Sequence, residues 1–115
     1  MTHAPAGVIR TMPETRRLVE RGLKEILAVA RARQIALAGG IVEKTMGLLD
    51  ALDPSATTSL QRDISAGRPS ELDAWNGAVV RLGQEAGVPT PLHEFIYHSL
   101  LPQERRARGL LQFPS

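Results

Sequence analysis

The stretch TSLQRDISAGRPSELDAWNGAVVRLGQEAGVPTP, residues 58–91, reads as two helices joined by a tight turn. The first covers about 58–66 and stops at Gly67, with Pro69 two residues beyond, the chemistry of a helix C-terminus. Ser70 opens the second as N-cap, with Asp73 as its short-armed acidic partner. Leu72, Trp75, Val79, Leu82 and Ala86 recur at helical spacing and mark its buried stripe, and Gly87 is the natural residue just past its end. Thr90-Pro91 restarts the chain as a further helix to about residue 100, where Pro102 is expected to break it.

The same pattern extends towards the N-terminus. Asp53-Pro54-Ser55 closes a helix over about 41–52 that carries Val42, Met46 and Leu49 on one face. Gly39-Gly40 separates it from a long amphipathic helix over about 14–33, where Val19, Leu23, Ile26, Leu27 and Ala30 recur at helical spacing. Thr11 is its expected N-cap, Pro13 lies in the first turn, and Glu14 completes a capping box. Glu20 and Lys24 form a favourable i,i+4 pair on the outer face. Residues 1–10 read as an unanchored arm and 111–115 as a tail, leaving 11–110 as one domain. No segment alternates polar and apolar residues long enough to make a strand. The expected fold is all-α, with five to six helices.

Composition narrows the function classes. With 115 residues the chain is one domain long, able to bury about two-thirds of its unfolded surface. Cysteine is absent, which removes disulfides, thiolate metal sites and cysteine nucleophiles together. Aromatic residues make up 3%, too few for a base-stacking surface. The net charge is only +2, and the densest basic cluster, Arg105, Arg106 and Arg108, has Glu104 beside it. That is a weak phosphate footprint, so no nucleic-acid partner is expected. The longest apolar run, residues 35–42, holds two glycines and is far short of a membrane span. Residues 1–12 show no apolar signal region, and a cytoplasmic location is the expectation.

The chain offers little self-contained chemistry. Its glycines permit no G-x-G-x-x-G, and neither lysine follows a glycine as a phosphate-binding loop requires. His93 and His98 lie five apart, about 140° around a helix, the wrong spacing for joint ligation. Both are expected at the surface or its boundary, and no metal site is assigned. No histidine neighbours the hydroxyls of Thr57, Thr58 and Ser59 to make a nucleophile–base pair. Polar residues do concentrate around the turn: Ser59, Asp63, Arg68, Ser70, Glu71, Asp73 and Asn76 fall within eighteen residues. They read either as local capping, with Glu71 paired to Arg68 or Arg81, or as a polar wall presented to something outside this chain.

The stretch closely resembles the C-terminal helical domain of the 2-dehydropantoate 2-reductase (ketopantoate reductase) family. That family commonly shows a serine, then Q-D, then T-E-I-D, an N-G pair, and G-V-P-T-P after the helix. Here these stand as Ser59, Asp63, Ser70-Glu71-Leu72-Asp73, Asn76-Gly77 and residues 87–91. Gly7, Pro13 and Glu25 also match, and the resemblance covers about residues 7–108. It implies a helical domain like the C-terminal domain of 6-phosphogluconate dehydrogenase, paired in the complete enzyme with a Rossmann domain that binds NADPH. The family reduces ketopantoate to pantoate in pantothenate synthesis. By the same resemblance, Ser59 matches a serine that binds the substrate carboxylate, and Glu71 matches an acidic residue at the cofactor–substrate junction. A hydroxyl suits a carboxylate, and a carboxylate suits hydroxyls.

Departures from the pattern are equally informative. The family's general acid is a lysine in K-x-x-x-N, which Lys24, Lys44 and Asn76 cannot form. Arg62 precedes Asp63, with Gln61 displaced by one, and His93 stands where asparagine is frequent. No catalytic residue and no cofactor site of its own is therefore expected in this chain. The reading that follows is a detached substrate-binding and dimerisation domain, acting as a homodimer or with a separate Rossmann-domain partner on a ketopantoate- or pantoate-like acid. The alternative is a non-enzymatic helical module for dimerisation or regulation.

Overall fold

A long central helix organises the molecule. In the computed structural model, which describes residues 4–37 and 39–114, Pro13–Ala32 forms α2, and it packs against four other helices. These are α1 (Ala6–Thr11), α3 (Ile41–Ala51), α5 (Ala78–Ala86) and α6 (Pro91–Ala107). The short α4 (Ser59–Ser65) precedes a π-helical turn, Asp73–Gly77, that runs directly into α5. Six α-helices and no strand are present among the described residues, the all-α fold the periodicity implies. None of these helices is long and apolar enough to cross a membrane.

The core is thin and lies beneath the 58–77 stretch. Leu60 of α4, Leu72 before the π turn and Leu100 of α6 form one buried cluster, flanked by Ile64, Ile96 and Tyr97. Leu72 is fully enclosed at 0% exposure. Val29 and Ala30 of α2 and Val42 and Met46 of α3 are also buried, and the two helices pack against each other. Ile26, expected in that stripe, is exposed instead. With Leu23, Leu27, Leu37 and Ile41 it lines an open apolar groove between α2 and α3.

Residues 6–10 depart from the expected arm. They form most of α1, and the helix is tied down from three directions. The Ala6 and Gly7 amides donate to the carbonyls of Ala56 and Pro54 at 2.9 Å, while Gln61 Nε2 donates to the Ala4 carbonyl at 3.0 Å. Arg10 donates to the Leu52 carbonyl at 2.6 Å, satisfying the open end of α3. Gly7 is required here, because a Cβ would fall 2.8 Å from Pro54 Cβ. Thr11 accordingly ends α1 and does not cap α2: its hydroxyl donates to the Gly7 carbonyl at 2.7 Å. Met12 takes the N-cap position, and Pro13 begins α2 as expected.

Two further boundaries differ from the sequence reading. Pro102 lies inside α6, which continues to Ala107. Leu100 and Glu104, both buried, anchor the helix on either side of the proline, and these contacts outweigh the one amide bond that proline removes. Trp75, expected in the buried stripe, is 49% exposed. The π turn inserts extra backbone per turn, so the stripe is carried by Leu72 and Val80 while Trp75 rotates outward.

Candidate functional site

The polar residues of the 58–77 stretch divide into those bound inward and those left open. Thr58, one residue earlier than Ser59, is the N-cap of α4, and its hydroxyl accepts from the Gln61 amide at 3.1 Å. Asp63 pairs with Arg68 across the turn at 3.1 Å, and Gly67 takes the left-handed conformation (φ 70°) that closes α4. Ser70 is buried. Its amide and hydroxyl both donate to Glu104 of α6, at 2.8 and 2.6 Å, and its oxygen also accepts from the Leu72 amide at 3.2 Å. Glu104, 3% exposed, is neutralised by Arg108, which donates to it at 2.8 Å and to the Ser70 carbonyl at 2.7 Å.

Two contacts from α6 hold the π turn. Asp73 accepts a hydrogen bond from the Tyr97 hydroxyl, so it serves α6 and makes no capping box with Ser70. That bond, then burial and the Asp73 charge, push the Tyr97 phenol above its ordinary value, with Arg81 and Arg105 opposing. Asn76 Nδ2 lies 3.1 Å from His93 Nδ1, and His93 Nε2 lies 2.9 Å from the Gly22 carbonyl. A carbonyl only accepts and an amide nitrogen only donates, so the pattern fits the Nε2–H tautomer, with Nδ1 accepting from Asn76. His93 is therefore buried, at 8% exposure, and stands between α2 and the turn, against the expected boundary position; His98 is exposed. Gly77 allows the close approach: a Cβ there would lie 3.0 Å from the Tyr97 ring and from Arg81.

Ser59 and Glu71 are on the open side. Both are exposed, and neither side chain has a hydrogen bond or ion pair among the described residues. Of the two readings the sequence leaves open, a local pairing of Glu71 is absent among the described residues, and Arg68 pairs with Asp63 and Arg81 with Asp73. Ser59 immediately precedes Leu60 and Glu71 immediately precedes Leu72, two leucines of one core cluster. The two polar residues therefore flank neighbouring parts of the same core while facing water. Chemically they offer a hydroxyl that donates and a carboxylate that accepts, and no cluster of metal-ligating residues is present among the described residues.

Glu25 is the functional-looking residue whose role the sequence does not disclose. From α2 it reaches the first turn of α6, where its carboxylate accepts from the Leu92 amide at 2.8 Å and the His93 amide at 3.0 Å. An acidic group there satisfies orphan donors and complements the helix dipole. Glu104 likewise meets Ser70 thirty-four residues away. A single carboxylate at a partly apolar helix position is the only signal for either, and it does not identify the partner.

A family model described as ketopantoate reductase PanE/ApbA C terminal matches residues 1–104. The chain belongs to this family. Its helical domain is 31% identical over 104 residues to a 2-dehydropantoate 2-reductase of Pyrobaculum aerophilum, covering 90% of this chain and 37% of that protein. A 2-dehydropantoate 2-reductase of Caulobacter vibrioides is 37% identical over 93 residues, covering 80% and 31%. The chain thus spans about a third of the length of these curated relatives. Among solved structures, a dimeric ketopantoate reductase from Staphylococcus aureus superimposes with a TM-score of 0.84 at 24% identity, over 91% of this chain and 37% of that one. D-mandelate dehydrogenase, in a ternary structure with NADH and anilino(oxo)acetate, gives 0.75 at 23% identity over 91% and 35%. In this ketopantoate reductase C-terminal domain, Asn76-Gly77 and the glycine of residues 87–91 have structural work: the first pair holds the π turn, and Gly87 (φ 70°) ends α5.

Proposed function

We propose that this chain is the substrate-binding and dimerisation domain of a ketopantoate reductase-like, NADPH-dependent oxidoreductase. The observation that carries the reading is the open pair, Ser59 and Glu71, at the positions of the family's substrate-binding serine and junction carboxylate. The Ser59 hydroxyl would donate to the carboxylate of a ketopantoate- or pantoate-like acid. Glu71 would accept from a hydroxyl of the substrate or of the cofactor, fixing the orientation of the two against each other. NADPH would supply the hydride. Within this chain we assign a cofactor contact to Glu71 alone, and the sequence holds no glycine-rich turn to cradle the phosphates. A Rossmann domain and a proton-donating lysine must therefore come from outside residues 1–115.

The exposed apolar groove between α2 and α3, with Leu18 and Leu48 also uncovered, suits an interface with a second copy or with that domain. A homodimeric, cytoplasmic protein is the form we propose. The test is a titration of pantoate into the labelled chain: amide resonances around Ser59 and Glu71 should shift together. Shifts elsewhere only, or at one residue alone, would remove the half-site. The chain alone should not oxidise NADPH in the presence of ketopantoate, and sedimentation velocity should give a species near twice 12.5 kDa.

A further inference from the structure

We infer that Trp75 is the apolar wall of this half-site and selects 2-oxo acids with a bulky apolar substituent over small ones; this rests on the substrate reading of Glu71. Trp75 is the only tryptophan in the sequence, and it is 49% exposed on an element whose neighbours Leu72 and Gly77 are buried. The Trp75 amide donates to the Glu71 carbonyl at 2.9 Å, which sets the two residues one helical turn apart on the same exposed side. Without the π turn, the helical periodicity would bring Trp75 into the buried stripe with Leu72 and Val79. The turn that rotates it outward is held on both flanks, by Tyr97 on Asp73 and by His93 on Asn76. Gly77 admits the Tyr97 ring against the backbone. The backbone that carries the exposed indole is thus held on both sides of Trp75.

An unpartnered carboxylate beside an exposed indole is the composition of a small-molecule site, one polar group for orientation against an apolar surface. A purely apolar docking face would not carry a free carboxylate one helical turn from its aromatic side chain, where desolvating it is costly. With Ser59 and Glu71 taking the polar atoms of a 2-oxo or 2-hydroxy acid, the indole is left to meet its carbon substituent. Branched or aromatic groups then gain contact that a methyl group cannot make.

The experiment titrates the labelled chain with ketopantoate, phenylglyoxylate and pyruvate, reading Ser59 and Glu71 amides, the Trp75 indole N–H and tryptophan fluorescence. The indole should respond in step with the two amides, and the two bulky acids should bind about tenfold more tightly than pyruvate. Trp75→Ala should erase that preference while all three acids still shift the Ser59 amide, and Trp75→Phe should restore most of it. Circular dichroism controls for folding, since an exposed side chain is removed. If the Ser59 and Glu71 amides respond while the indole stays silent and Trp75→Ala keeps the preference, the wall is overturned and the half-site stands. If no probe moves Ser59 or Glu71, the half-site itself fails and the wall with it. If Trp75→Ala changes only the sedimentation of the chain, Trp75 is a protein contact and the inference is wrong.

Discussion

Ser70 and Glu71 are adjacent, yet their environments have little in common. Ser70 is buried and gives its amide, hydroxyl and carbonyl to Glu104 and Arg108 of α6. Glu71 is exposed and gives its side chain to nothing described. The same contrast runs through the whole 58–77 stretch: Thr58, Asp73 and Asn76 serve the fold, while Ser59, Glu71 and Trp75 face outward. Polar residues that hold a fold find partners within it, because an unpaired buried group is expensive. Those left open are where a ligand or a partner has something to bind.

The contrast breaks most visibly at Glu104. Replacing it with alanine leaves the Ser70 amide and hydroxyl buried without an acceptor, and we expect a loss of about 3 kcal/mol in urea denaturation. An unchanged midpoint would mean that water replaces the carboxylate and that the inner network is dispensable. Next comes Glu25→Ala, which uncaps the first turn of α6 across the interface with α2. About 1–2 kcal/mol should be lost, and the amide protons of Leu92 and His93 should exchange faster.

How much of this division could be read from the chain itself depends on the range of the contacts. Helices with regular apolar spacing, and glycine stops such as Gly67 and Gly87, are local and legible. Residues 6–10 are not, because their helix depends on carbonyls of Pro54 and Ala56 far along the sequence. Trp75 leaves the buried stripe because a π turn changes the helical period, and nothing in DAWNG announces that turn. Pro102 carries a strong local stop signal, overridden by Leu100 and Glu104 on the packed side of α6. Ser59 and Glu71 stand out only through the family resemblance. Their spacing alone favours capping and a local ion pair.

Smaller effects sharpen the comparison. Tyr97→Phe removes the hydrogen bond to Asp73 and should cost about 1 kcal/mol at neutral pH. The raised Tyr97 value makes its contribution fully present below the ordinary tyrosine range near 10 and lost as pH climbs through the higher folded-state value. Wild-type stability should therefore fall over that alkaline window, with a shallower decline in the phenylalanine variant. The smallest change belongs to the open side. Ser59→Ala and Glu71→Gln should each stay within about 0.5 kcal/mol of wild type by thermal melting. A loss above 1 kcal/mol at either position would assign that residue to the fold and erase the distinction from Ser70.

The anchoring of α1 also has a consequence in time. Its first two amides are held by carbonyls about fifty residues downstream, so the helix cannot complete itself until the turn at 53–56 has formed and come to meet it. It should assemble late on the folding pathway and be the first element to open in the native state. Because Arg10 also closes the end of α3, opening at α1 frees the Leu52 carbonyl in the same event. Residues 6–11 and 49–56 then behave as one cooperative unit, made of two segments that are remote in the sequence and rise or fall together.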